Sequence, residues 1–256
     1  MMIMMFRIVL MCVFLHGLSD SKDVVVVAEG FAWAENIVCA IKKSNTAALF
    51  VSENKRGEIW KVTWNGTAYD QERLGLSDDF NLFAGLAKND SEIFALGNPK
   101  GGGKCQLIRI DGSWSGDTYD VIATLPRKCL GSGLAYNNGV FYAASEGDFV
   151  PFEGVIYRID NSGNVVSVKD RGFADDGVAI DTQRDLVYVS EAESISHKVL
   201  VLNSTSGAYI DVIQPENVDM IDDFTVDIST GRVVAADFLG GKIVRFDGWT
   251  RSKKPK

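Results

Sequence analysis

Three residue pairs in this chain carry oxygen atoms at positions where chemistry could be done: Glu35 and Asn36, Asp175 and Asp176, and Asp222 and Asp223. Each opens a short apolar segment, ENIVCAI at 35–41, DDGVAID at 175–181 and DDFTVD at 222–227. Carboxylate and amide oxygens delivered together from rigid strand starts suit a hard cation. Their number favours calcium, which takes many oxygen ligands in flexible geometry, over magnesium, which keeps its waters. Each pair taken alone also has a plain structural reading, in which Asp and Asn bond nearby backbone and make the turn into the strand. Their recurrence at equivalent places is what points to a metal.

The elements that position them repeat. Strand, turn and strand recur in copies starting at Leu49, Ile93, Val140, Leu186 and Arg232, spaced by 44–47 residues, close to the length of one four-stranded propeller blade. An apolar segment precedes each copy, at 35–41, 83–88, 131–136, 175–181 and 222–227, and is read as the innermost strand. More polar, alternating segments such as 118–125 and 208–214 follow as outer strands. The expected fold is an all-β propeller with five countable four-stranded blades in a single domain over 20–256, with very little helix. The last unit lacks a fourth strand, and the β-branched VVVVA at 24–28 can supply it, joining the N-terminus to the last blade. Five blades, or six with one missing, both fit the count. In such a fold the three pairs face a central channel.

The net charge of −8 and the scattered basic residues exclude nucleic acid as an expected partner, and the terminal RSKKPK reads as a solvated end. Residues 1–19 read as a signal peptide: Arg7, an apolar run at 8–15, and the small residues Gly17 and Ser19 before Asp20. The run is too short to span a bilayer, so the expectation is a secreted protein with no transmembrane segment after cleavage, an uncleaved anchor being the rival. Asn65, Asn89 and Asn203 each begin an Asn-x-Ser/Thr triplet and are candidate glycosylation sites. Without Cys12, three cysteines remain. Cys105 with Cys129 is the expected disulfide, because they lie on neighbouring repeats, and Cys39 sits within an apolar strand as a free thiol. KGGGK at 100–104 has no following helix and reads as a wide turn rather than a phosphate loop, and Trp33, Trp60, Trp114 and Trp249 read as blade packing.

Several segments resemble the paraoxonases in order along about 200 residues. IDDFTVDISTGRVVAADF at 221–238 is similar to that family's Asp-Asn pair, apolar strand and Pro-Glu-Thr-Gly type turn. FADDGVAI at 173–180 and VYVSEAESISHKVLVLN at 187–203 resemble its Ala-Asn-Gly-Ile and Ala-His-Lys-Ile strands. ENIV at 35–38 resembles its opening Glu-Asp-Leu, and GNPKGGGKCQLIRI at 97–110 its Asn-His-Pro turn and strand. The resemblance extends to the calcium-dependent, six-bladed propellers that include gluconolactonase, regucalcin, diisopropylfluorophosphatase and the strictosidine synthase-like proteins. It implies a channel calcium that polarises the carbonyl or phosphoryl oxygen of a lactone, aryl ester or organophosphate. Glu35, Asp176 and Asp222 would then be calcium ligands with Asn36 and Asp223 beside them, and Asp222 or Glu35 a nucleophile or base.

The chain departs from that family in places. Gly131, Ser132 and Gly133 stand where an asparagine ligand is expected, Ala84 where a channel histidine is expected, and Asp176 replaces an asparagine. His197 lies on a later strand and reads as a core or supporting residue. Two further readings therefore stay open: a noncatalytic secreted propeller that binds a protein or glycan, and a strictosidine synthase-like enzyme using Glu146 or Glu191 without metal.

Overall fold

The structure, a computed structural model, describes residues 34–250 apart from 42–46, 54–55, 66, 90–91, 113, 128–132, 146–153, 173–174, 192–197, 238–239 and 241. The closing segment 24–28, the signal segment 1–19, Glu146 and His197 lie outside the described residues. Among the described residues nineteen strands are arranged as a five-bladed β-propeller, and the one helix is a single 3-10 turn at Gly75–Asp78.

Each blade is an antiparallel meander. Blade one is β1 (Ala34–Ile41), β2 (Ala47–Glu53), β3 (Glu58–Trp64) and β4 (Tyr69–Arg73). Blade two is β5 (Phe80–Asn89), β6 (Glu92–Pro99), β7 (Gln106–Ile110) and β8 (Tyr119–Thr124). Blade three holds β9 (Leu134–Asn137), β10 (Val140–Ser145), β11 (Gly154–Asp160) and β12 (Val165–Gly172). Blade four holds β13 (Asp175–Asp181), β14 (Leu186–Glu191), β15 (Lys198–Asn203) and β16 (Tyr209–Ile213). Blade five has three described strands, β17 (Ile221–Asp227), β18 (Arg232–Asp237) and β19 (Lys242–Asp247). The five repeat copies read from the sequence are the second and third strands of the blades, and the segments before them are the innermost strands.

Burial follows strand position. The second strands of blades one to four are buried on both faces, so they read as continuous apolar runs: LVYVSE in β14 is buried at every residue, whereas β18 of blade five alternates. The outer strands β4 and β8 are more open, with at least half of their residues exposed, as suits a sheet edge facing water. The core lies between neighbouring blades. Phe50 and Ile59 of blade one pack with Phe83, Leu86 and Ile108 of blade two, and Phe94 and Leu107 of blade two with Phe141 and Tyr157 of blade three. Trp114 is buried there with its ring edge-on to Phe50 at 5.2 Å, which is the packing role expected of it. The innermost strands follow one another, β1 beside β5, β5 beside β9, β9 beside β13 and β13 beside β17.

Turn chemistry sets the registers. Asn138 and Gly139, with φ of 46° and 85°, join β9 to β10 in the two-residue turn whose twist matches paired strands. The glycines of KGGGK form the turn between β6 and β7, as expected.

Candidate functional site

The three acidic pairs share one structural device. The ladder of inner and second strand shifts register between Ala34 and Ile37 in blade one, Asp175 and Val178 in blade four, and Ile221 and Phe224 in blade five. Each shift is a bulge in which two inner-strand residues face one on the second strand, and a bulge re-aims the side chains it carries. The inserted residues are Glu35 and Asn36, Asp176 and Gly177, and Asp222 and Asp223. Sequence spacing pairs Asp175 with Asp176, whereas the register leaves Asp175 opposite Glu191 and gives the bulge to Asp176 and Gly177.

Serine hydroxyls hold two of these bulges. Ser52 Oγ accepts the Asn36 N–H at 3.0 Å. Ser190 Oγ accepts the Gly177 N–H at 2.7 Å and donates to the Asp222 carbonyl of the next blade at 3.0 Å. The blades also approach through backbone: Gly133 donates its N–H to the Asp176 carbonyl at 2.7 Å. A Cβ on Gly177 would stand 2.6 Å from the Asp222 oxygen and 3.1 Å from Asp223 Oδ1, so only glycine permits this approach. Asp176, Asp222 and Asp223 are thereby brought to adjoining ends of β13 and β17.

Asp176 is 7% exposed, and Asp222 and Asp223 are half-buried. Asp223 Oδ1 accepts the Phe224 N–H at 2.8 Å. The Asn36 amide bridges to blade two, its Nδ2 donating to the Ala84 carbonyl at 3.3 Å and its Oδ1 accepting the Leu86 N–H at 3.4 Å. That oxygen keeps one lone pair for a ligand. Ala84 itself is completely buried between blades. The Glu35 and Asp175 side chains, and Gly131 and Ser132, lie outside the described residues.

The donors here are all oxygen and mostly anionic, which matches calcium in chemistry. Among the described residues, no three His, Cys, Asp or Glu side chains come close enough together to form a metal cluster. A complete calcium shell would therefore need Glu35, amide and backbone oxygens in addition to Asp176, Asp222 and Asp223.

Of a second acidic set, sequence reasoning singled out Glu191 alone. Glu53, Glu191 and Asp237 end the second strands and stand in register with Ala34, Asp175 and Ile221. All three are buried. The Asp237 carboxylate accepts the N–H groups of Asp219, Met220 and Gly240, fixing the backbone that leads into Asp222. The signal is present in the repeat, as the acid after FVS, YVS and VAA.

Elsewhere, Cys105 is disulfide-bonded, Cys39 is a half-buried free thiol, and Cys129 lies outside the described residues. Asn65 is exposed at the turn from β3 to β4, while Asn89 and Asn203 are half-buried. Hairpin-turn carboxylates are tuned by local hydrogen bonds. Ser229 and Thr230 hydroxyls hold Asp227 down to about 2, and the Asn164 side chain lowers Asp160. Among the described residues no helix is long and apolar enough to cross a membrane.

No family model matches the chain, and no curated protein matches it in sequence. Solved structures do match in fold. A chain of a nidogen/laminin complex superposes with a TM-score of 0.59 at 14% identity, over 84% of this chain and 81% of that one. A gluconolactonase from Xanthomonas campestris superposes with a TM-score of 0.61 at 15% identity, over 84% of this chain and 72% of that one. At such identities the likeness is one of fold: this chain is a β-propeller, an architecture shared by proteins of different activity.

Proposed function

We propose that this protein is a secreted, calcium-dependent propeller hydrolase acting on lactones, aryl esters or organophosphates. One observation carries the reading: bulges at the same register in three inner strands insert Glu35 and Asn36, Asp176, and Asp222 and Asp223 at the same strand ends. Glu35, Asp176 and Asp222 would hold the ion, with Asn36 and Asp223 beside them. Bound calcium supplies polarisation of a carbonyl or phosphoryl oxygen. Ser190 keeps Asp222 in place through its carbonyl, and Asp237 fixes the segment before it. In this reading Asp222 or Glu35 accepts the proton of an attacking water or attacks as a carboxylate. The gluconolactonase likeness is compatible with the substrate class, and the signal segment and Asn65, Asn89 and Asn203 sequons with secretion.

A second reading, a noncatalytic propeller that binds an extracellular protein or glycan, is favoured by two particular residues. Gly133 stands at the third inner strand without a ligand side chain, and the Asn36 amide is already engaged by β5. Hydrolysis of phenyl acetate, γ-lactones and a phosphotriester, with and without chelator, separates the two. Chelator-sensitive turnover restored by calcium and abolished in Asp222→Asn is the expected result. Turnover indifferent to chelator and to Asp222→Asn contradicts the hydrolase reading. Calcium binding without any turnover favours the second.

A further inference from the structure

Three arginines gather around the turns that join inner to second strand in blades four and five, at 182–185 and 228–231. β13 and β17 begin at the acidic pairs and run seven residues to these turns, so roughly 20 Å of strand separates the two places. Two adjoining hollows of about 250 and 230 Å³ lie here and share Asp247. Arg232 and Arg245 line the first, and Arg184, Gly231 and Trp249 the second.

Arg184 is held in one pose. Its Nη1 donates to Asp181 Oδ2 at 2.8 Å and to the Ile228 carbonyl at 3.0 Å, which uses both Nη1 hydrogens. The guanidinium lies against Gly231, where a Cβ would stand 2.6 Å from Cζ and 2.8 Å from Nε. Among the described residues nothing accepts from Nε or Nη2, and the side chain is 32% exposed. Two adjacent guanidinium donors of this kind grip an oxyanion with parallel bonds. Arg245 is a second unspent cation. The register sets Arg232 opposite Asp247 and Val234 opposite Arg245, so both arginines and Asp247 share one face of blade five. Arg232 is tied to Asp247 loosely, Nε to Oδ1 at 3.6 Å, and Arg245 is exposed with no ion pair among the described residues.

The rest of the lining decides what the oxyanion is attached to. Counting Asp181, Asp227 and Asp247 against the three arginines leaves no net charge, which disfavours a polyanion and suits a ligand with one anionic group. Asp247 is 74% exposed and would repel a bare anion, yet its carboxylate accepts from hydroxyl groups. Trp249 is fixed beside it, its main-chain N–H on the Tyr188 hydroxyl at 3.1 Å and its indole Nε1 on Asp211 Oδ2 at 2.9 Å. A half-buried indole in one orientation offers an apolar surface to the C–H side of a sugar ring.

We propose that these hollows bind a sugar bearing a single oxyanion group. The oxyanion takes the Nε and Nη2 hydrogens of Arg184, the ring lies against Trp249, and ring hydroxyls bond Asp247, with Arg245 as the second cation in the adjoining hollow. The site is separate from the acidic pairs and needs neither calcium nor the hydrolase reading.

Nitrogen-edited NMR of the full-length protein in the presence of chelator tests it. The Trp249 indole N–H and Arg184 Nε–H signals are followed while glucose 6-sulfate, glucose 6-phosphate or glucuronate is added, which separates the three sources of the oxyanion. Saturable shifts of both signals with at least one of these, and affinity at least tenfold weaker for glucose and for inorganic sulfate, are expected. Arg184→Lys keeps the charge but loses the paired donors and is expected to weaken binding at least tenfold. Arg245→Gln is expected to weaken it about threefold or more. No saturable shift with any of the three sugars overturns the proposal, as does binding unchanged in both variants. Inorganic sulfate bound as tightly as the sugars overturns it in favour of a simple anion site. Should Arg184→Lys melt far below wild type, Asp247→Ala, on an exposed side chain, decides the matter: sugar binding at full strength in that variant overturns the proposal, and binding weakened at least tenfold upholds it.

Discussion

Gly177→Ala puts the proposed approach of blades four and five under direct strain. An added Cβ would lie 2.6 Å from the Asp222 carbonyl oxygen and 2.9 Å from the Asp223 Cα, both backbone atoms that cannot rotate aside. Ordinary contact begins at 3.4 Å, so β13 and β17 must part by roughly 0.8 Å. Overpacking of this kind costs about 1–3 kcal/mol. The same displacement carries the Ser190 Oγ bond to Asp222, now 3.0 Å, beyond hydrogen-bond range and forfeits about 1 kcal/mol more. A loss of about 2–4 kcal/mol corresponds to a fall in Tm of roughly 4–16 °C for a domain of this size. Gly112→Ala is the control: nothing lies within 4 Å of its added Cβ, and a change within about 0.5 kcal/mol of zero is expected. The assay is thermal unfolding by circular dichroism with chemical denaturation alongside. A Gly177→Ala protein that melts with wild type would refute the close approach that brings Asp176 to Asp222 and Asp223.

Ser190→Ala leaves the Gly177 N–H and the Asp222 carbonyl without their shared partner, and a loss of about 1–3 kcal/mol is expected in urea unfolding. Tyr188→Phe removes the hydroxyl that accepts the Trp249 N–H at 3.1 Å, for about 0.5–1.5 kcal/mol by the same measurement. Asp227 has its pKa held below the usual 3.8 at about 2, so its contribution is present above about pH 4 and is lost as pH falls toward 2. Asp227→Asn is accordingly expected to flatten that part of the acid-stability profile and to leave stability between pH 5 and 7 with the same slope as wild type.

The second strands were legible because residues buried on both faces leave uninterrupted apolar runs, as in LFVSE and LVYVSE. Inner strands were legible in place but less so in extent. β5 begins at Phe80 rather than near 83 because Leu82 and Phe83 continue its ladder, and β9 begins at Leu134 because Gly133 spends its N–H on blade four. The bulges were not legible. Whether Asp175 or Gly177 joins Asp176 in the inserted pair depends on how closely Asp222 packs, a contact 45 residues away in sequence. The engagement of Asn36 by the Ala84 and Leu86 backbone likewise has no local signature. The acids ending the second strands were visible in the repeat, but the role of Asp237 as a latch appears only through the three N–H groups it gathers.

Calorimetric titration of calcium into the chelator-treated full-length protein, with Asp222→Ala alongside, bears most directly on the cation site. Saturable binding to wild type that is abolished or weakened at least 100-fold in Asp222→Ala is the expected result. No binding to wild type, or equal binding to both proteins, would contradict the placement of a calcium at the ends of β1, β13 and β17.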